Sequence, residues 1–381
     1  MDNLIYNYSL CIDMTLMLFT SFYFLFGKTP DKPIFDNYLK SRRLMALAVL
    51  LLVANYCVHF FLRLRFTNPT AAILVNLSTY FLCYWVFISA LHTLLNRFYI
   101  SQRRSLIHIS MWIVYTTLVI LVGLCLPNGP IQSTGVISLA LCLMVYGVYL
   151  SFRFLRIYRR SVKHFDNTSS DDLSVYVKWM NHFTYFVLAY GVGCSVLTFL
   201  NDEYVYLWIL SSIPLYVYLF CCYQNYLLFY ERVETVIVSE TETETEDEDE
   251  PLFEIEGKNK LENHEIIPAH YNEIADRINE WIENNGYISP GLTIKDLADE
   301  LRTNRTYLSG YINNTYKTTF RNWITDMRME YAKQRMTNNP EQKLAEIAEA
   351  SGFMSLSHFM RTFKEKEGCS PAKWKKGSNE K

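Results

Sequence analysis

LTIKDLADELRTNRTYLSGYI, residues 292–312, and LAEIAEASGFMSLSHFMRTF, residues 344–363, read as two versions of one pattern. In the first, Thr293 stands where a helix N-cap belongs, with Asp296 completing a capping-box-like pair. Ile294, Leu297, Ala298 and Leu301 recur at helical spacing and form a buried face. The polar turn Arg302-Thr303 leads to Asn304, which can cap a second helix in which Leu308, Tyr311 and Ile312 face inward. In the other version, Leu344–Ala350 is a short helix with Ala348 in the place of Ala298, a small residue where two helices cross closely. Ser351-Gly352-Phe353 turns the chain, with Gly352 suited to positive φ, and Ser355 starts a helix that buries Phe359 and Phe363. Each version predicts helix, turn, helix.

Residues 319–336, between the two, are strongly helical and stop before Asn338-Asn339-Pro340. At 1.5 Å per residue this helix is roughly 28 Å long. That suits a spacer holding two helices one DNA turn apart, about 34 Å. Upstream, Ile274, Ile278, Trp281 and Ile282 mark an amphipathic helix ended by Gly286 and Pro290-Gly291. From Leu292 to the end, Lys and Arg number 16 against 11 Asp and Glu. A basic balance suits phosphate contact.

These residues resemble the AraC-type DNA-binding domain over Tyr271 to Lys376. The resemblance is carried by Leu297-Ala298, Tyr307-Leu308, Arg328 with Ala332, Ile347-Ala348, Gly352-Phe353, His358 to Lys364, and Gly368 to Pro371. It implies that the second helix of each unit enters the major groove of double-stranded DNA. The groove-facing positions become Thr306, Ser309 and Gly310 in the first unit, and Leu356, Ser357 and Arg361, behind Ser355, in the second. Gly310 stands where the second unit has Arg361, so the first unit lacks a long base-reading side chain. It is expected to contribute shape and phosphate contacts through Asn304 and Arg305. Arg361 has two open readings: pairing with a guanine edge, or a phosphate contact on a solvated face.

Residues 1–230 differ in kind. They are apolar and aromatic, with seven stretches of bilayer length near Tyr8–Phe26, Leu44–Leu62, Ala71–Leu95, Leu106–Leu126, Gly135–Phe154, Phe183–Leu200 and Tyr204–Tyr230. The first has no basic flank or small-residue cleavage site and reads as a span rather than a signal peptide. Basic residues crowd the first, third and fifth loops, for example Lys28, Arg43, Arg97, Arg104, Arg153 and Arg160. The N-terminus and the fourth and sixth loops have none. Only Arg63 and Arg65 in the second loop break the alternation. Basic loops stay in the cytoplasm, so the N-terminus is expected outside and the C-terminal domain inside a bacterial cytoplasmic membrane. Asp13, in the first span, is either a sensing carboxylate or a residue near the outer surface that caps a neighbouring helix. His59, His92 and His108 are expected near span ends, and Pro214 is expected to kink the last span.

Residues 231–270 read as an acidic, disordered linker around Ser239–Glu250, where like charges prevent burial. A coil of that length spans roughly 35 Å. It is a spacer or, more sharply, a mask over the basic domain. Residues 377–381 are a tail.

The nine cysteines form no C-x-x-C pair and no zinc-spaced cluster, so neither disulfides, metal nor a cofactor is expected. No P-loop, G-x-S-x-G or kinase-like constellation suggests an enzyme. The reading is an all-α chain: a polytopic seven-helix transmembrane bundle followed by a tandem helix-turn-helix domain at 271–376. As a one-component transcription regulator it would bind DNA and sense a ligand or membrane partner through its lipid-embedded bundle; a homodimer is left open. The alternative is a membrane receptor or transport-like protein whose basic C-terminal domain binds a protein partner.

Overall fold

The computed structural model describes residues 2–197, 202–241 and 268–378. The chain divides into two units, residues 1–161 with 175–239, and residues 162–174 with 240–381. Among the described residues every regular element is a helix.

The first unit is built from α1 (Asp2–Phe26), α2 (Asp36–Leu62), the single turn α3 (Leu64–Thr67), α4 (Pro69–Leu95), α5 (Gln102–Cys125), α6 (Pro130–Thr168, up to residue 161), α7 (Ser174–Leu197), α8 (Asp202–Ser211), α9 (Ile213–Leu227) and α10 (Tyr230–Thr241). Helix α2 packs on α1 and α4, α4 on α5, and α1 on α8 and α9. Six segments among the described residues are long and apolar enough to cross a bilayer: Leu4–Phe26, Pro33–Leu62, Pro69–Leu95, Gln102–Cys125, Pro130–Thr168 and Tyr204–Leu227. The span expected at Phe183–Leu200 falls on α7. That helix has 24 residues, but its first turns carry Lys178, Asn181 and His182, and residues 198–201 lie outside the described part. The kink expected at Pro214 is a break at Ser212 between α8 and α9, with the proline in the first turn of α9.

This unit exposes large apolar side chains and buries polar ones among its apolar core. Phe19, Phe22, Phe152 and Val145 are exposed, and Leu124 is 81% exposed. Buried hydroxyls pair between helices instead: Ser41 with Tyr223 and Tyr84 with Ser151, both at 2.9 Å. Asp13 is completely buried, and Ser212 Oγ donates to its Oδ2 at 2.7 Å, at the α8–α9 break. The three histidines expected near span ends are buried: His59 beside Asn76 of α4, His92 stacked on Tyr99 of the α4–α5 connection, and His108 beside the Tyr146 hydroxyl of α6. A cavity of about 90 Å³ is lined by Tyr56, Tyr84, Phe183, Tyr190, Trp208 and Ser212.

The segment expected to open the linker is helical instead. Val233 and Val236 recur on one stripe of α10 and are buried, which gives residues 230–241 a reason to fold. Glu234 is buried with them, 3.4 Å from Arg97 Nε, and burial pushes its carboxyl above the usual carboxylate range. The acidic run at 242–250 lies outside the described residues.

The second unit contains α11 (Pro268–Glu283), α12 (Ile294–Glu300), α13 (Arg305–Tyr316), α14 (Phe320–Asn338), α15 (Leu344–Ala350), α16 (Leu356–Glu367) and α17 (Pro371–Ser378), together with residues 162–174. It has two cores. Ile278, Trp281, Leu297, Ala298, Leu308 and Ile312 join Phe320, Trp323 and Ile324 in one. Ile347, Ala348, Phe353, Phe359 and Phe363 join Met329, Ala332 and Met336 in the other. Helix α14 thus gives its first half to one core and its second half to the other.

Candidate nucleic-acid interface

Two short-helix, turn, long-helix pairs stand on either half of α14: α12 with α13, and α15 with α16. Their turns share one hydrogen-bond pattern. Thr303 N donates to Ala298 O at 2.8 Å, and Phe353 N donates to Ala348 O at 3.0 Å. In both, the alanine is fully buried where the helices cross. In both, one turn residue is left-handed: Arg302 at φ 52 and Gly352 at φ 81. Thr293 and Asp296 cap α12 reciprocally, as a capping box.

The long helices are anchored by their inward faces and capped by side chains. The Asn304 oxygen accepts from Tyr307 N at 2.7 Å, and Ser355 Oγ accepts from His358 N at 3.2 Å. These two polar atoms, expected to face DNA, therefore serve first as caps. On α13, Thr306 is exposed, while Arg305 and Ser309 are half-buried and Ser309 Oγ accepts from Asn313 at 3.4 Å. On α16, Leu356, Ser357, Met360 and Arg361 are exposed while Phe359 and Phe363 are completely buried. Of the expected groove positions, Leu356, Ser357 and Arg361 are exposed on α16, whereas on α13 Thr306 is exposed and Ser309 and Gly310 are half-buried; Arg361 is the long cation among them. His358 sits half-buried at the base of this face; burial first, and then the neighbouring Arg361, push its imidazole down to about 4.

Arg328 joins the two pairs. Only 1% of its side chain is exposed, on α14 where the two cores meet. Its Nε donates to Tyr287 O at 2.8 Å and its Nη2 to Ser289 O at 2.7 Å. Burial lowers its guanidinium to about 10, and Asp171 works against that shift. Gly352 closes over the same turn: a Cβ there would lie 2.4 Å from Ile288 O and 2.9 Å from Arg328 Nε. The glycine is thus required by close approach as well as by its positive φ.

Residues 162–174 complete the unit, and sequence reasoning missed them. Ser170 N donates to Leu292 O at 2.9 Å, and Ser169 forms an isolated bridge with Thr293. Arg328 Nη2 also donates to Ser170 Oγ at 3.3 Å. Arg321 Nη1 donates to Asp172 Oδ1 at 2.7 Å and lies 3.2 Å from Asp166 Oδ1. Arg361 Nη2 donates to the other oxygen of Asp172 at 2.9 Å. The signal was visible as three acids, Asp166, Asp171 and Asp172, closing a loop otherwise rich in Arg and Lys.

Residues 297–377 match a helix-turn-helix domain model. Over 133 residues the chain is 25% identical to the melibiose operon regulatory protein of Escherichia coli K12, covering 34% of this chain and 44% of that one. Over 103 residues it is 26% identical to the HTH-type transcriptional regulator ExsA of Pseudomonas aeruginosa, covering 27% and 33%. An uncharacterized HTH-type transcriptional regulator of Bacillus subtilis, YobQ, is 36% identical over 80 residues, covering 21% and 33%. The chain thus spans less than half the length of these curated relatives. No solved structure matches it significantly. Residues 297–377 are an AraC-type helix-turn-helix domain, of the kind found at the matched regions of these transcriptional regulators.

Proposed function

We propose that the chain is a membrane-bound one-component transcription regulator. Its C-terminal domain binds double-stranded DNA through both helix pairs, α12–α13 and α15–α16, while its first unit spans the bilayer and senses a signal. The observation that carries the DNA reading is α16. Phe359 and Phe363 lock it to its core and leave Ser357 and Arg361 outward on an AraC-type domain. Arg361 suits bidentate contact with a guanine edge, whereas α13, with Gly310 in that place, suits shape and phosphate contact. Helix α14, 19 residues or about 28 Å long, suits the separation of two recognition helices along one groove turn.

Six long apolar helices support the membrane reading, as do the large apolar side chains exposed on their outer faces. With α7 counted as a further span, the odd number agrees with the basic loops in placing the N-terminus outside and the DNA-binding domain inside. The aromatic cavity beside the buried Asp13–Ser212 pair is a candidate place for a small signal molecule.

Genome-wide mapping of DNA bound by the full-length protein in cells tests the DNA reading: discrete sites are expected, and none would favour a protein-binding tail. A reporter active only outside the cytoplasm should be silent after Tyr230 and active within residues 127–134. The reverse would remove the proposed orientation.

A further inference from the structure

We infer that residues 166–174, the segment leaving α6, are a docking element that holds the second recognition helix away from DNA. The inference rests on the reading of α16 as a DNA-contacting helix. Its basis is the double use of Asp172. One oxygen of this carboxylate takes Arg321 of α14 and the other takes Arg361 of α16. Arg361 is the long cation on the outward face of that helix, and a guanidinium facing a carboxylate is not free to face a phosphate or a guanine edge. DNA and Asp172 are therefore alternative partners for the same atoms.

The segment is placed by more than charge. Its backbone is tied to the start of α12 through Ser170 N to Leu292 O and the Ser169–Thr293 bridge. Ser170 Oγ takes the spare donor of Arg328, the cation that already binds the turn at Tyr287 and Ser289. Ser174 Oγ donates to Asp172 Oδ1 and orients the carboxylate. Ser169 and Ser170 are buried and Asp172 is 20% exposed, so the docked segment is shielded from water and its ion pairs are less screened than fully exposed ones. Arg361, at 40% exposure, is the outermost partner and the first that a polyanion can take.

The segment continues directly from α6, one of the six apolar helices, and leads directly into α7. A change in either helix thus has a covalent route to the side chains that hold Arg361. Release needs only exchange of one anionic partner for another.

The test uses full-length protein in detergent micelles and a mixed-sequence 40-base-pair duplex at low salt. Asp172→Asn should tighten binding about three- to tenfold, the scale of two partly exposed ion pairs. Glu346→Gln makes the same charge change on an exposed face of α15 and should stay within about twofold, which separates unmasking from charge alone. In an Arg361→Ala background the gain from Asp172→Asn should shrink. Hydrogen exchange supplies a second readout: amides of 166–174 should be protected in the free protein and exchange faster when duplex is added. An Asp172→Asn effect no larger than that of Glu346→Gln overturns the inference, and so do loop amides that stay protected with DNA bound. If no variant binds duplex at all, the DNA reading falls and takes this inference with it. If Arg361→Ala weakens binding while Asp172→Asn changes nothing, the DNA reading stands and the docking element alone falls.

Discussion

The two helix pairs share a frame and differ at its edge. Ala298 and Ala348 sit at the same crossing, and the same turn bond follows each. The turn residue with positive φ, however, is Arg302 in the first pair and Gly352 in the second. Arg302 is exposed and tolerates the left-handed conformation at a cost of about 1–2 kcal/mol, because nothing crowds its side chain. Gly352 is buried against the Ile288 carbonyl and Arg328, and no side chain fits there. On the outer face the relation reverses: the first pair has Gly310 where the second has Arg361. The first pair is permissive at its turn and plain on its face; the second is tight at its turn and charged on its face. A shared core pattern therefore fixes the frame, and the differences fall where the frame meets another partner.

That contrast can be broken most forcefully at the turns. Gly352→Ala should destabilise the domain by about 3 kcal/mol or more, since a left-handed conformation and a steric overlap add together. Urea titration of the full-length protein, followed by exchange of α14–α16 amides, should show the loss. An effect under about 1 kcal/mol would mean that the turn relaxes and the contrast with Arg302 is not steric.

The next largest difference lies on the outer faces. Arg361→Ala should weaken binding to a mapped site by about ten- to hundredfold and relax preference at one or two base pairs. Arg305→Ala should weaken all sequences alike and reduce the salt slope by about one. If both mutants behaved the second way, the two faces would not divide reading from anchoring.

A third difference is acid sensitivity. His358, first-turn neighbour of the Ser355 cap, has its imidazole pushed down to about 4 by burial and by Arg361. The unfolded chain binds the proton near pH 6.5, so His358 favours folding above that value. That stability is lost as pH falls from about 6.5 towards 4, by about 1 kcal/mol between pH 6.5 and 5.5. In the first pair Tyr307 follows the Asn304 cap at the same distance. Protection factors of α16 amides, corrected for the intrinsic pH dependence of exchange, should therefore fall on acidification before those of α13, and His358→Gln should remove the difference.

The smallest effect sharpens the comparison from the other side. Arg302→Gly should stabilise the first pair by about 0.5 kcal/mol, because relief of the left-handed conformation exceeds the entropy cost of glycine. A loss in the same urea titration would show that the Arg302 side chain holds something in place.

The frame was legible because its signals are local. Caps at Thr293, Asn304 and Ser355 lie within three residues of the amides they satisfy. Alanines and aromatics at helical spacing announce buried faces, which is why both pairs and their core residues could be read directly. The docking of Asp172 was not legible, because its partners are 149 and 189 residues away and an acid in a loop looks like an ordinary solvated charge. The helical start of the supposed linker was missed for a related reason. Val233 and Val236 are too few to outweigh the acidic run that follows them until a binding surface for α10 is known. Asp13 shows both sides: its place in a span was plain, but its partner Ser212 lies 199 residues on.

Helix α14 has a consequence for how this domain can change over time. Because Ile324 lies in one core and Met329 in the other, the two lobes share a single axle. One residue inserted between them would advance the second lobe by 1.5 Å and rotate it by about 100°. Small insertions therefore cannot adjust the gap between lobes gradually; they throw the outward faces out of phase. Side chains can change one at a time on the surface of either lobe, but the length between the two cores behaves as a fixed gear ratio.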